Sequence, residues 1–101
     1  MVKSRGYRIE LGEIEQTLYQ HEGVREAVVL AVPDDEIGAR MKAVVVPHGA
    51  GAVSKTELEM FCLGHLPKYM VPEEFMFRDD LPRTSTGKTD RIALQRELGY
   101  G

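Results

Sequence analysis

Cysteine is nearly absent from this chain: Cys62 is the only one in 101 residues. It can form no internal disulfide, and a reducing cytoplasm is the expected location. A basic excess is also missing. The net charge of -3 at pH 7 leaves no cationic face to neutralise a phosphate backbone, which argues against a nucleic-acid partner. Long hydrophobic runs are lacking as well. The longest, Ala27 to Pro33, falls far short of a bilayer span, so no membrane partner is expected. The N-terminal residues pass from Lys3 and Arg5 into Tyr7-Arg8-Ile9-Glu10 without the apolar stretch of a signal sequence. His21, His48 and His65 have no ligand spacing among themselves. Asp34-Asp35-Glu36 comes from one short segment and reads as a solvated hairpin turn, so no metal site is expected.

What remains is ordinary for one globular module. With 43% hydrophobic and 29% charged residues the chain resembles a soluble domain, and its length allows a single modest core. Periodicity predicts a short strand over Gly6 to Glu10, then a helix carrying Leu11, Ile14 and Leu18 to a stop near Gly23. Val24 to Val32 is almost continuously apolar, the pattern of a strand covered on more than one side. After the break at Pro33 to Gly38, Met41 to Val46 reads as its antiparallel neighbour. Ser54-Lys55-Thr56-Glu57 has the form of a capping box and opens a helix with Leu58, Phe61, Cys62 and Leu66 on one side, ended by Pro67. Cys62 on that stripe reads as core, since no base can be assigned beside it. Phe75 and Phe77 alternate in a third strand. Asp90 caps a last helix through about Leu98, with Gly99 stopping it. The predicted fold is a small α+β domain of order β-α-β-β-α-β-α, an antiparallel sheet flanked by helices in a split βαβ arrangement.

Two glycine-bearing loops stand out against this background. In Leu81-Pro82-Arg83-Thr84-Ser85-Thr86-Gly87-Lys88-Thr89-Asp90-Arg91, a lysine is carried at the tip of a turn, as suits a cation that reaches into a cleft to hold a phosphate or carboxylate oxygen. Gly87-Lys88-Thr89 is not the end of a phosphate-binding P-loop. That motif needs a glycine five positions before Gly87, where the chain has Pro82. The second loop holds Lys3, Arg5, Gly6 and Tyr7.

Val2-Lys3-Ser4-Arg5-Gly6-Tyr7-Arg8-Ile9-Glu10-Leu11-Gly12-Glu13-Ile14-Glu15, Leu66-Pro67-Lys68-Tyr69-Met70-Val71-Pro72 and Thr86-Gly87-Lys88-Thr89-Asp90-Arg91 occur in order along the chain. Together they resemble the small C-terminal domain of the adenylate-forming enzymes, the superfamily of acyl-CoA synthetases, nonribosomal peptide synthetase adenylation domains and luciferases. The resemblance runs from Val2 to about Leu98. The stretch Arg8 to Glu15 is most similar to the nonribosomal peptide type.

The resemblance implies a mobile lid, spanning residues 1–101 as a single domain, for an ATP-dependent ligase that makes an acyl-adenylate and passes the acyl group to a phosphopantetheine thiol. Lys88 would be the adenylation lysine, contacting the acyl carboxylate and the α-phosphate region of ATP with its magnesium, on a turn made by Gly87. Lys3, Arg5, Gly6 and Tyr7 would form the thiolation loop, and Tyr69 and Met70 a packed anchor beneath the Lys88 loop. A small carboxylic or amino acid is the implied substrate and a carrier protein the implied acceptor, with CoA as the alternative. Because Met1 stands inside the first motif, the large N-terminal ATP- and acyl-binding domain is expected to be absent from this chain, which is then either an excised domain or the small part of a split enzyme, and the chain alone is expected to be inactive. A non-catalytic docking or regulatory module is the competing expectation.

Overall fold

The computed structural model describes residues 1–100. Its centre is the apolar stretch that reads as a two-sided strand. Val24–Asp34 (β3) pairs antiparallel with Gly38–Pro47 (β4), in a register that sets Val29 opposite Ala43 and Asp34 opposite Gly38. Side chains alternate between the faces of a pleated sheet, so this long hairpin feeds two cores. Ala27, Val29, Met41, Ala43 and Val45 face one, where Ile14 and Leu18 of Leu11–Tyr19 (α1) and Leu58 and Cys62 of Lys55–His65 (α2) cover them. Val28, Leu30, Val44 and Val46 face the other, under Leu81 and Leu94 of Arg91–Glu97 (α3).

Helices flank the sheet as expected and the α+β order holds, but one pairing differs from the all-antiparallel expectation. The third strand, Glu74–Phe77 (β5), lies parallel to β4, with Ala43 opposite Phe75. The reason is the connection: the chain leaves β4 at Pro47 and runs through α2 before reaching Glu74, a crossover that brings it back in the same direction, whereas antiparallel neighbours are joined by tight turns. Phe75 is buried in the larger core, while Phe77 at the strand's end is exposed.

The N-terminal segment forms two strands where one was expected. Val2–Ser4 (β1) pairs antiparallel with Tyr7–Ile9 (β2) as a separate hairpin. Lys3 and Ser4 give β1 no apolar alternation, which hides it from sequence reading. It is held by polar and steric fit instead. Ser4 is only 1% exposed and its hydroxyl donates to the Ala39 carbonyl at 2.5 Å. Gly38 has a φ of 94°, and a Cβ there would sit 2.7 Å from the Lys3 carbonyl oxygen, so only glycine lets β1 lie this close.

The helix ends follow their sequence signals. Ser54 Oγ accepts from the Glu57 amide at 3.1 Å, half of the expected capping box. The Glu57 carboxylate turns to His21 Nε2 at 2.9 Å. Because His21 Nδ1 accepts from the Gly23 amide at 3.0 Å, the ring proton resides on Nε2 and is donated to Glu57. Asp90 Oδ1 accepts from the Ala93 amide at 3.0 Å to open α3, and Gly99, with a φ of 82°, closes it.

Candidate functional site

The Lys88 loop is a short hairpin with an internal reason for its glycine. Arg83 and Thr89 pair as a bridge, the Thr84 amide donates to the Lys88 carbonyl at 2.7 Å, and the Gly87 amide donates to the Thr84 carbonyl at 2.9 Å. This is a four-residue turn, Thr84 to Gly87, whose last residue lies in the left-handed region, Gly87 having a φ of 85°. The side chain of Lys88 is exposed and makes no ion pair with any described residue. An uncommitted ammonium on a stiff turn can present hydrogen-bond donors to an anionic oxygen brought to it from outside.

The base of this hairpin is fixed by charge. Arg83 donates to Glu26 Oε1, and that contact raises the guanidinium's pKa. Glu26 is the one acidic residue among the core-facing residues of β3, and its side chain is 14% exposed. Beside it, Arg25 donates to the Asp79 carbonyl at 3.0 Å. Beyond the turn, Arg91 donates to both oxygens of Glu15, at 2.8 and 2.7 Å, and to the Val29 carbonyl at 3.3 Å. Glu15 in turn accepts from the Val29 amide at 2.8 Å.

The second loop is the tip of the β1–β2 hairpin. Arg5 and Gly6 both lie in the left-handed region, with φ of 53° and 83°, as a two-residue turn requires. A Cβ at Gly6 would meet nothing within 4 Å of this chain, so its glycine serves the backbone turn and leaves the tip open. The Arg5 amide donates to the Ile37 carbonyl at 2.7 Å. Lys3, Arg5, Gly6 and Tyr7 are all exposed. Tyr7 stacks on Tyr69 at 3.9 Å between centroids and 13° between planes. Tyr69 therefore sits beneath the Gly6 hairpin and not beneath the Lys88 loop, and Met70 joins the larger core. The expected anchor belongs to the other end of the molecule, because the Lys68–Met70 3-10 turn packs against the face that carries β2.

Next to this tip is a cleft lined by Arg5, Lys68, Tyr69, Val71 and Glu73. Its one carboxylate is engaged by the backbone, Glu73 Oε2 accepting from the Met41 amide at 2.6 Å. The two loops are anchored at opposite ends of the β3–β4 hairpin. Glu26 holds one, Ile37 beyond Asp34 holds the other, and the strand between covers about 26 Å at about 3.3 Å per residue. The structure does not bring Lys88 and the Lys3-to-Tyr7 group together into one pocket.

Among the described residues there is no group of three or more His, Cys, Asp or Glu side chains placed to hold a metal ion. Asp34 is spent on its own turn: Oδ1 accepts from the Glu36 and Ile37 amides, and Oδ2 receives Arg40 Nε at 2.7 Å. Those bonds, the Arg40 one first, hold its carboxyl below the usual range. Cys62 is buried in the larger core, and burial pushes its thiol up to about 11, the opposite of what a nucleophile needs. No helix among the described residues is long and apolar enough to cross a membrane.

Comparison with known proteins identifies the family of the chain. The family model for the AMP-binding enzyme C-terminal domain matches residues 13–88. The chain belongs to the AMP-binding enzyme C-terminal domain family. It is 42% identical over 98 residues to the L-proline–[L-prolyl-carrier protein] ligase of Pseudomonas fluorescens, a match covering 97% of this chain and 20% of that protein. It is 40% identical over 92 residues to the long-chain-fatty-acid–CoA ligase of Bacillus subtilis, covering 91% of this chain and 16% of the ligase. In three dimensions it resembles a fatty acyl CoA synthetase of Mycobacterium tuberculosis with a TM-score of 0.88 at 30% identity, over 96% of this chain and 19% of the synthetase. The chain thus spans about a fifth or less of the relatives it matches.

For this C-terminal domain, the structure adds residues that sequence reasoning did not single out. Arg83 and Glu26 brace the Lys88 hairpin, and Arg91 ties the last motif to the first through Glu15. One signal for them was available: a lone acid within a strand buried on both faces requires a partner.

Proposed function

We infer that this chain is the mobile C-terminal lid domain of an ATP-dependent, AMP-forming ligase that activates a carboxylic or amino acid and transfers it to the phosphopantetheine thiol of a carrier protein. The observation that carries this reading is an uncommitted lysine ammonium at the tip of a braced hairpin, anchored at the far end of the sheet from a second exposed glycine turn. A large N-terminal domain is the partner that holds ATP with its magnesium and the acid, and the isolated chain is inactive.

Joining a carboxylate to the α-phosphorus of ATP brings two anions together, and negative charge concentrates where they meet. Lys88 offsets that charge, with Gly87 setting the turn that delivers it. A thiol then needs the space the lysine occupied. With the two loops at opposite ends, rotation of the whole domain withdraws Lys88 and brings in the Arg5-Gly6 tip, with Lys3 and Tyr7 on its flanking strands. Arg5 and the neighbouring Lys68 offer positive charge to the phosphate of a pantetheine arm or to an acidic carrier helix. Free CoA is the alternative acceptor, a reading favoured by the similarity to a fatty-acid–CoA ligase.

The test uses the ligase that bears this domain. Lys88→Ala lowers ATP–pyrophosphate exchange by about 100- to 1,000-fold while leaving transfer from a supplied adenylate largely intact. Gly6→Asn does the reverse, because asparagine tolerates the left-handed turn yet adds a side chain at the tip. Equal losses in both half-reactions for Lys88→Ala contradict the role assigned to the lysine.

A further inference from the structure

The Lys88 hairpin is braced by an ion pair that the chemistry of the lysine does not by itself require. Glu26 projects from β3 with its side chain mostly covered, Oε1 receiving Arg83 while Oε2 is buried without a hydrogen-bond partner. Burying a carboxylate in a strand that could hold another valine costs stability, and a pair of this kind is weak evidence for stabilisation. Its position is specific instead. The same guanidinium that reaches Glu26 through Nη2 lies 3.4 Å through Nη1 from the carbonyl of Gly87, the residue before Lys88. Arg83 also occupies the bridge position opposite Thr89, the residue after Lys88. One planar fork therefore spans from the sheet to the turn. A lysine could satisfy Glu26 but has a single nitrogen and no fork with which to hold both points.

We propose that the Glu26–Arg83 pair is a positioning device for Lys88, fixing the angle at which the hairpin leaves the sheet so that the ammonium arrives at one place each time the domain closes. This rests on the adenylation role given to Lys88 above. Arg83 and Glu26 touch no reacting atom. They act through the Gly87 carbonyl and the turn geometry.

Two measurements test it, one on this chain and one on the ligase bearing it. The paired variant Glu26→Gln with Arg83→Gln leaves no orphan buried charge, and Arg83→Lys keeps the charge but removes the fork. In this chain both variants raise amide hydrogen exchange at Thr84 and Gly87 by about tenfold while Val28 and Val44 remain protected. In the ligase both lower kcat for ATP–pyrophosphate exchange by about 10- to 100-fold, the scale of a small misplacement of a reacting group, and leave transfer from a supplied adenylate unchanged. Loosened Thr84 and Gly87 amides with full adenylation overturn the proposal, as do equal losses in both half-reactions, which signify a structural role only. Lys88→Ala run alongside separates the two ideas: if it is silent, the adenylation reading itself is wrong, whereas an inactive Lys88→Ala beside fully active Arg83 and Glu26 variants removes the positioning role alone.

Discussion

The two exposed hairpin tips are built alike and held differently. Each needs a glycine in the left-handed region, Gly6 in one and Gly87 in the other. The Gly6 tip itself is held by neutral contacts, the Ser4 hydroxyl on the Ala39 carbonyl, the Arg5 amide on the Ile37 carbonyl, the Tyr7–Tyr69 stack and the close approach of Lys3 to Gly38, while the Asp34–Arg40 pair serves the turn behind it. Beneath it lies the larger core. The Lys88 end rests on a smaller core and on charge, through Glu26–Arg83 and Glu15–Arg91. Neutral fit is insensitive to salt and intolerant of added volume. Ionic bracing tolerates volume and responds to charge and ionic strength. Each end of the domain can therefore be disturbed without the other.

The strongest break comes at Gly38. Alanine there meets the Lys3 carbonyl, which is backbone and cannot swing aside, and it must also adopt a φ of 94°. Gly38→Ala is expected to cost about 2–4 kcal/mol, the sum of left-handed strain and overpacking. The urea midpoint measures it. Amide exchange should rise at Arg5, whose donor bond to Ile37 is lost, and stay unchanged at Thr84 and Gly87. A cost below about 0.5 kcal/mol, the range of ordinary surface changes, would mean that close approach does not hold this end.

Next in size is an alkaline effect confined to the larger core. Burial raises the Cys62 thiol from 9.0 to about 11, so the folded state keeps its proton after the unfolded chain has lost it. The associated stability is fully present below about pH 9 and disappears as pH rises towards about 11, a loss of about 2–3 kcal/mol. Urea midpoints of the wild type and Cys62→Ala should converge over that range. Parallel curves would indicate a wetter core than the burial of Cys62 implies.

The sequence made the elements legible where one physical signal dominated. The two-sided β3 run, the Ser54 and Asp90 caps and the Gly99 stop are each local. The parallel pairing of β5 was not local, since strand direction depends on how a long crossover returns. β1 was hidden because Lys3 and Ser4 carry no alternation, and Ser4 is buried for a hydrogen bond across 35 residues. The exposed tip of Lys88 was readable from Gly87 and from its place between a strand signal and the helix start at Asp90. Its bracing was not, because Glu26 and Arg83 are 57 residues apart and nothing in either segment alone names the other. Tyr69 lies under the other loop for the same reason: an aromatic in a segment bounded by Pro67 and Pro72 declares that it packs, not against what.

The smallest effect tests the bond between the first and last motifs. Arg91 is half exposed, but its fork meets both oxygens of Glu15, whose side chain is 13% exposed and also receives the Val29 amide. Arg91→Met preserves the side chain's apolar stem and removes the fork, at an expected cost of about 1–2 kcal/mol for charge-assisted bonds discounted for exposure. Glu15→Gln with Arg91→Met should cost little more than either alone, because the two act on one interaction, and the coupling in that double-mutant cycle measures the pair itself. Raising the salt concentration should bring the wild type toward the variant and leave the penalty at Gly38 untouched. If salt moved both ends equally, the division between a neutral and an ionic end would be false.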